Sequence, residues 1–314
     1  MISVSVLNFT GVYERESFYK DGDCEWIDCS DLSGVNGFCD EASMEEIEAR
    51  ISGLSGWIHF IDGGNFHYLS YLMVRKIREP FTLVVFDHHT DMKPSIFAGI
   101  LSCGCWIKRA LDDQPYLKKV ILVGVADSLA DTVESEYADR VQVFSESAAG
   151  ADDSWLKALE TEVSEAVYLS IDKDAFGREE VVTDWDQGTM TLELLERAYR
   201  ILDSRRILGV DICGEADRDE FFSGQMSASD EQNDAANRRI LRMLLTDQKK
   251  PAGRIQKGER DGRSTDIFEG GHQAADSAAD HRAVSRRLSG NGGYDHGGRS
   301  GGDRGLRNFP CGYA

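Results

Sequence analysis

Residues 81–91 read FTLVVFDHHTD, and the break inside this stretch decides the fold. Phe81 to Phe86 are apolar or β-branched with no alternation, the composition and length of a strand buried on both faces of a parallel sheet. The run stops at Asp87, and Asp87, His89 and Asp91 then fall at alternate positions. Ligands of open α/β sheets collect beyond the carboxyl ends of the strands, where these three residues stand. Two hard oxygen donors flanking an imidazole suit Mn, Fe, Co or Zn, and the carboxylate majority favours Mn. A strand followed by a polar, helix-capping turn explains the same residues, so this stretch alone leaves both readings open.

Working outward, runs of strand character recur at residues 3–7, 57–61, 120–125, 141–144, 167–171 and 207–212. Helical spacing separates them. A helix is expected to open at Ser43, with Glu46 completing a capping box and Met44, Ile47 and Ile51 on one face. Further helices are expected over 67–78, 103–111, 152–164, 191–202 and 233–245, while residues 8–40 show no sustained period. Asp62-Gly63-Gly64-Asn65 ends the strand at 57–61, its glycines allowing backbone close to whatever occupies the site. Strands alternating with helices predict an α/β fold with a mostly parallel sheet covered on both faces.

Charge divides the chain. Residues 247–314 carry 12 Lys and Arg against 9 Asp and Glu, leaving 23 against 46 in residues 1–246. Such an acidic domain repels phosphate backbones, so a nucleic-acid partner is not expected. From residue 250 onward the chain is dense in Gly, Arg, Ser and Asp and poor in large aliphatics. It has too little apolar area to offset its ordering entropy, which predicts a domain over 1–246 and a disordered or non-native tail over 247–314. No run approaches the roughly 20 apolar residues of a membrane span, and the N-terminus lacks the basic and apolar regions of a signal peptide. Seven cysteines without zinc-type spacing read as reduced thiols of a cytoplasmic protein.

Three strand ends carry candidate ligands: His67, then Asp87, His89 and Asp91, then Asp172 and Asp174. In a parallel sheet these ends share one edge, where four carboxylates would be driven to protonate without a cation. Two divalent ions remove that repulsion and lower the pKa of a shared water. On the segments Gly63-Gly64-Asn65-Phe66-His67, Asp87-His88-His89-Thr90-Asp91 and Ser170-Ile171-Asp172-Lys173-Asp174, the chain resembles the ureohydrolase family of arginases, agmatinases and formimidoylglutamases. The resemblance implies a three-layer α/β/α sandwich, arginase-like, holding two Mn2+ ions. It also implies a bridging hydroxide that cleaves a C–N bond of a guanidino or amidino compound, and a homo-oligomer. Asp87, His89, Asp91, Asp172 and Asp174 become metal ligands by the same token, and so does His67 after a one-residue shift, because Phe66 intervenes.

The departures are as specific as the matches. Cys103 stands where the family's loop histidine carries protons, and a thiol does this poorly unless its pKa is lowered. Glu215 matches the guanidinium-binding glutamate with a one-residue offset. His88, between two ligands, points away from the metals, packing or replacing the missing proton carrier. Residues 92–102 and 176–190 lack the family's substrate loops, which keeps two alternatives in play: a same-fold amide or deacetylase-type hydrolase, and a non-catalytic metal-binding relative.

Overall fold

The computed structural model describes residues 4–95, 99–164, 166–216 and 226–246; the tail expectation over 247–314 lies outside them, as does part of the loop at 92–102. The chain opens with β1 (Val4–Asn8), β2 (Cys24–Asp28) and β3 (Phe38–Cys39), then α1 (Glu41–Arg50), β4 (Ile58–Phe60) and α2 (Leu69–Val74). β5 (Phe81–Phe86), β6 (Leu101–Ser102), α3 (Trp106–Asp113), β7 (Leu117–Val125) and β8 (Val141–Ser145) follow. The remainder is α4 (Glu146–Ala151), α5 (Ser154–Glu162), β9 (Ala166–Asp172), α6 (Leu192–Leu202), β10 (Arg206–Cys213) and α7 (Ala228–Thr246).

Eight strands form one sheet in the order β2-β1-β4-β10-β9-β5-β7-β8, and every neighbouring pair runs parallel. β5 lies between β9 and β7, and all six of its residues are buried. Its side chains alternate between two cores. Leu83 and Val85 join Leu72, Trp106 and Ile107 on one face, while Val84 and Phe86 join Trp155, Leu195 and Ile240 on the other. Each such apolar side chain contributes about 1.5–3 kcal/mol by leaving water, which is why the run shows no alternation in sequence. The result is the three-layer sandwich, with α1 to α3 over one face and α4 to α7 over the other.

Several boundaries differ from the sequence reading. The segment read as irregular contains β2, paired along its length with β1 at the sheet edge. Its sequence CEWID leaves only one flank to bury, so its apolar signal is diluted by charge. Helix α1 starts before Ser43: Asp40 is the cap, its side chain accepting from the Ser43 N–H at 2.8 Å. That corrects the capping-box expectation, since an Asp cap satisfies the same orphan donor. The helix expected over 67–78 shortens to α2, preceded by a 3-10 turn at Gly64–Phe66, and the one expected over 103–111 likewise begins as a 3-10 turn, Cys103–Cys105, ahead of α3.

Candidate metal centre

The four central strands, β4, β10, β9 and β5, deliver their carboxyl ends to one edge of the sheet, the position at which α/β folds bind ligands. The β5 ladder continues into Asp87, whose N–H donates to the Val123 carbonyl at 3.1 Å. β9 ends at Asp172 and turns at once through Lys173–Ala175, the Asp172 side chain accepting from the Asp174 N–H at 3.1 Å. Beyond β4, the 3-10 turn Gly64–Phe66 leads directly into His67, whose side chain is buried. Gly64 lets Trp185 and Asp172 close on this turn: a Cβ there would lie 2.9 Å from Trp185 Cδ1 and 3.3 Å from Asp172 Oδ2.

The donors converge in three overlapping groups among the described residues, His67 with Asp87 and Asp91, Asp87 with His89 and Asp174, and His67 with Asp172 and Cys213, each group's ligand atoms within 4.8 Å of one another. His67 Nδ1 stands 3.2 Å from Asp87 Oδ2, 3.0 Å from Asp91 Oδ2 and 3.3 Å from Asp172 Oδ2. His89 Nδ1 stands 2.9 Å from Asp174 Oδ2 and 3.4 Å from Asp87 Oδ1. Asp87 thus offers one oxygen to each imidazole. Neither His67 Nδ1 nor Asp87 Oδ2 makes a hydrogen bond of ordinary geometry among the described residues. Bonds of about 2.1 Å meeting at one ion leave adjacent donors roughly 3 Å apart, so these separations are compatible with a shared ion. The residues fit divalent cations.

The electrostatics agree. Burial and the Asp87 charge push Asp91 up to about 7, and burial with Asp172 and Asp87 pushes Asp174 well above the carboxylate range. Against burial, Asp174 and Asp87 push His89 up to about 11. Against burial too, the imidazoles of His67 and His89 hold Asp87 well below the usual carboxylate range. Carboxylates crowd one another at this edge, and cations held there would relieve their repulsion.

Outer contacts orient the donors. Ser170 Oγ lies 2.8 Å from His67 Nε2, leaving Nδ1 to face the carboxylates, and Trp106 Nε1 donates to Asp91 Oδ2 at 2.7 Å. The Ile107 N–H donates to the Asp91 carbonyl at 3.1 Å. Asp91 has a φ of 50°, uncommon for a residue with a Cβ, and the start of α3 holds it there. Trp185 sits against the centre, its ring 5.4 Å from that of His89. Cys213 closes β10 opposite Asp172 in the strand register and donates from Sγ to Asp172 Oδ2 at 3.2 Å, burial pushing its thiol up. None of Ser170, Trp106, Trp185 and Cys213 stood out in the sequence. Serine at the head of Ser170-Ile171-Asp172 was the one available signal; the others approach through tertiary structure.

The three residues expected in catalysis, His88, Cys103 and Glu215, lie outside these donor groups. His88 is buried beside His89, with rings 5.7 Å apart, its N–H bound to Asp174 Oδ1 at 3.0 Å and its Nδ1 lacking a hydrogen bond among the described residues. Cys103 is 5% exposed and starts the turn before α3, its N–H donating to the Gly37 carbonyl. Glu215 is buried and its carboxylate is engaged: Lys173 Nζ and Asn237 Nδ2 reach Oε1, and Asn233 Nδ2 reaches Oε2. Lys173 is the cation that Glu215 contacts.

Asn237 Nδ2 also donates to Glu16 at 2.8 Å, and burial with the Glu215 charge pushes Glu16 from 4.5 up to about 9. The folded protein therefore holds a proton there that the unfolded chain releases, and the associated stability is lost as pH rises from about 4.5 to about 9. Glu16→Gln is expected to match the native protein in denaturant midpoint below this window. It should become progressively the more stable of the two through the window and keep a constant lead above it. A native-to-variant difference that does not change with pH would contradict this linkage.

Residues 6–214 match the Arginase family profile. The chain belongs to the arginase family. An uncharacterized protein from Thermotoga maritima is 35% identical over 224 residues, which is 71% of this chain and 84% of that relative. The fold is similar to that of proclavaminate amidino hydrolase from Streptomyces clavuligerus, with a TM-score of 0.58 and 14% identity over 79% of this chain and 91% of that one. It is similar also to arginase from Bacillus caldovelox, with a TM-score of 0.53 and 14% identity over 79% and 99%. No helix among the described residues of this arginase-family chain is long and apolar enough to cross a membrane.

Proposed function

We propose that this arginase-family protein is a binuclear, manganese-dependent hydrolase that cleaves a C–N bond of a small guanidino or amidino compound. The observation that carries this reading is Asp87 facing two imidazoles at once, each inside its own donor group. His67, Asp87, Asp91 and Asp172 are assigned to one ion and Asp87, His89 and Asp174 to the other. Two divalent ions held by these residues would supply a water-derived nucleophile at neutral pH and Lewis-acid activation of the group under attack. Ser170 and Trp106 keep His67 and Asp91 in register for binding, as outer contacts of metal sites do. Trp185 shields the cluster on the His89 side. His88 and Cys103 are the groups assigned to proton movement, His88 offering a buried Nδ1 with no hydrogen bond among the described residues.

A same-fold amide hydrolase is the second reading, favoured by one observation: the Glu215 carboxylate, the expected guanidinium acceptor, is engaged by Lys173. The test loads the full-length chain with manganese and measures urea and ammonia release from a panel of guanidino and amidino compounds, with N-acetylated amines assayed in parallel. Urea or ammonia from the first panel is the expected result. Deacetylation with no product from the first panel supports the amide reading. No turnover of either panel with metal bound would overturn both.

A further inference from the structure

Asp172 is not the last polar group that the sheet delivers to the cluster. β10 is paired with β9 in the register Ile212↔Ile171 and Cys213↔Asp172. Side chains paired across parallel strands leave the sheet on the same face, so Cys213 and Asp172 rise side by side toward His67. Ligand atoms of His67, Asp172 and Cys213 all lie within 4.8 Å of one another, and all three residues are buried. His67 brings to this group the buried Nδ1 that has no hydrogen bond of ordinary geometry among the described residues. Gly214 follows with a φ of +93°, and a Cβ there would fall 2.6 Å from Asp172 Oδ1, so the backbone presses Cys213 and Asp172 together.

The separations suit one ion. Bonds of about 2.3 Å to sulfur and 2.1 Å to oxygen leave those two atoms roughly 3.1–3.6 Å apart for angles between a right angle and the tetrahedral value. Cys213 Sγ stands 3.2 Å from Asp172 Oδ2. The opposite half of the cluster, around His89, draws only nitrogen and oxygen from Asp87, His89 and Asp174. The two halves therefore differ in softness. Hard carboxylate donors suit Mn, whereas a thiolate added to imidazole and carboxylate shifts preference toward Zn, Co or Fe.

We propose that Cys213 is a metal ligand on the His67 side of the centre, coordinating as the thiolate with its proton released to solvent, and that this half selects a softer divalent ion than the His89 half. The proposal deepens the functional reading and rests on the part of it that places divalent ions at this edge. It is independent of which C–N bond is cleaved.

The test is cobalt titration of the full-length protein followed by absorption spectroscopy. A thiolate-to-cobalt charge-transfer band is expected to grow with the ligand-field bands and saturate with the first equivalent. Cys213→Ser is expected to keep the ligand-field bands and lose the charge-transfer band, and its preference for zinc over manganese should fall at least tenfold in competition. The other cysteines are unchanged in the variant, so loss of the band assigns it to Cys213. Should the variant fail to fold, zinc-edge X-ray absorption of the native chain gives the answer, a sulfur scatterer at about 2.3 Å being expected. Ligand-field bands without charge transfer in the native protein, or zinc with nitrogen and oxygen neighbours alone, would overturn the role of Cys213 and leave the metal centre standing. Failure to bind cobalt or zinc at all would overturn both.

Discussion

Replacing Asp172 with alanine is expected to abolish metal uptake by the intact chain. Asp172 Oδ2 lies 3.3 Å from His67 Nδ1, and its carboxylate also holds the Asp174 N–H at 3.1 Å, fixing the turn that aims Asp174 at His89. One substitution thus removes a donor and loosens a second. Metal content after loading and dialysis, together with the metal-dependent rise in melting temperature, reads the effect. A ligand at a hundred times its dissociation constant stabilises by about 2.7 kcal/mol, and the variant should show none of this increment. Asp172→Asn separates charge from shape, because its amide oxygen still accepts from Asp174. It should preserve the metal-free melting temperature while losing most of the metal-dependent rise. Wild-type metal content in Asp172→Ala would remove Asp172 from the site.

The second large effect concerns stability. Lys173 lies between two proposed ligands in sequence, yet its side chain runs away from them and is fully buried against Glu215 and Asn237. Lys173→Met leaves the Glu215 charge buried without its cation, held only by the amides of Asn233 and Asn237. Breaking a buried pair from one side costs about 3–5 kcal/mol, a large share of the roughly 5–15 kcal/mol that keeps a domain folded. The double variant Lys173→Met, Glu215→Gln removes the uncompensated charge and should recover most of the loss. Denaturant midpoints of the single and double variants decide the matter. A cost below about 1 kcal/mol for Lys173→Met would mean that the pair is not closed in solution, which would free Glu215 for a cationic substrate.

Much of the architecture is legible along the chain. Six apolar or β-branched residues running up to Asp87 read as a doubly buried strand because β5 is covered on both faces, and the same logic located β7, β9 and β10. β2 escaped because an edge strand buries one flank only, and α1 was placed late because Asp40 and Ser43 offer the same capping chemistry. The ligand-bearing segments were visible through spacing: alternate positions at a strand end, twice, carry acidic donors whose mutual repulsion demands a cation.

What the amino-acid sequence by itself determined was therefore the buried strands with the main helices between them, the acidic strand ends and the family. Tertiary structure decided the neighbours of those ends. Cys213 meets Asp172 across 41 residues, Trp106 meets Asp91 across 15, and Lys173 meets Glu215 across 42. Periodicity reports which face of an element is buried, because burial acts on each residue within its own turn or strand. It carries nothing about strand order, and it is the insertion of β10 and β9 between β4 and β5 that sets a thiol beside a carboxylate and a lysine against a glutamate.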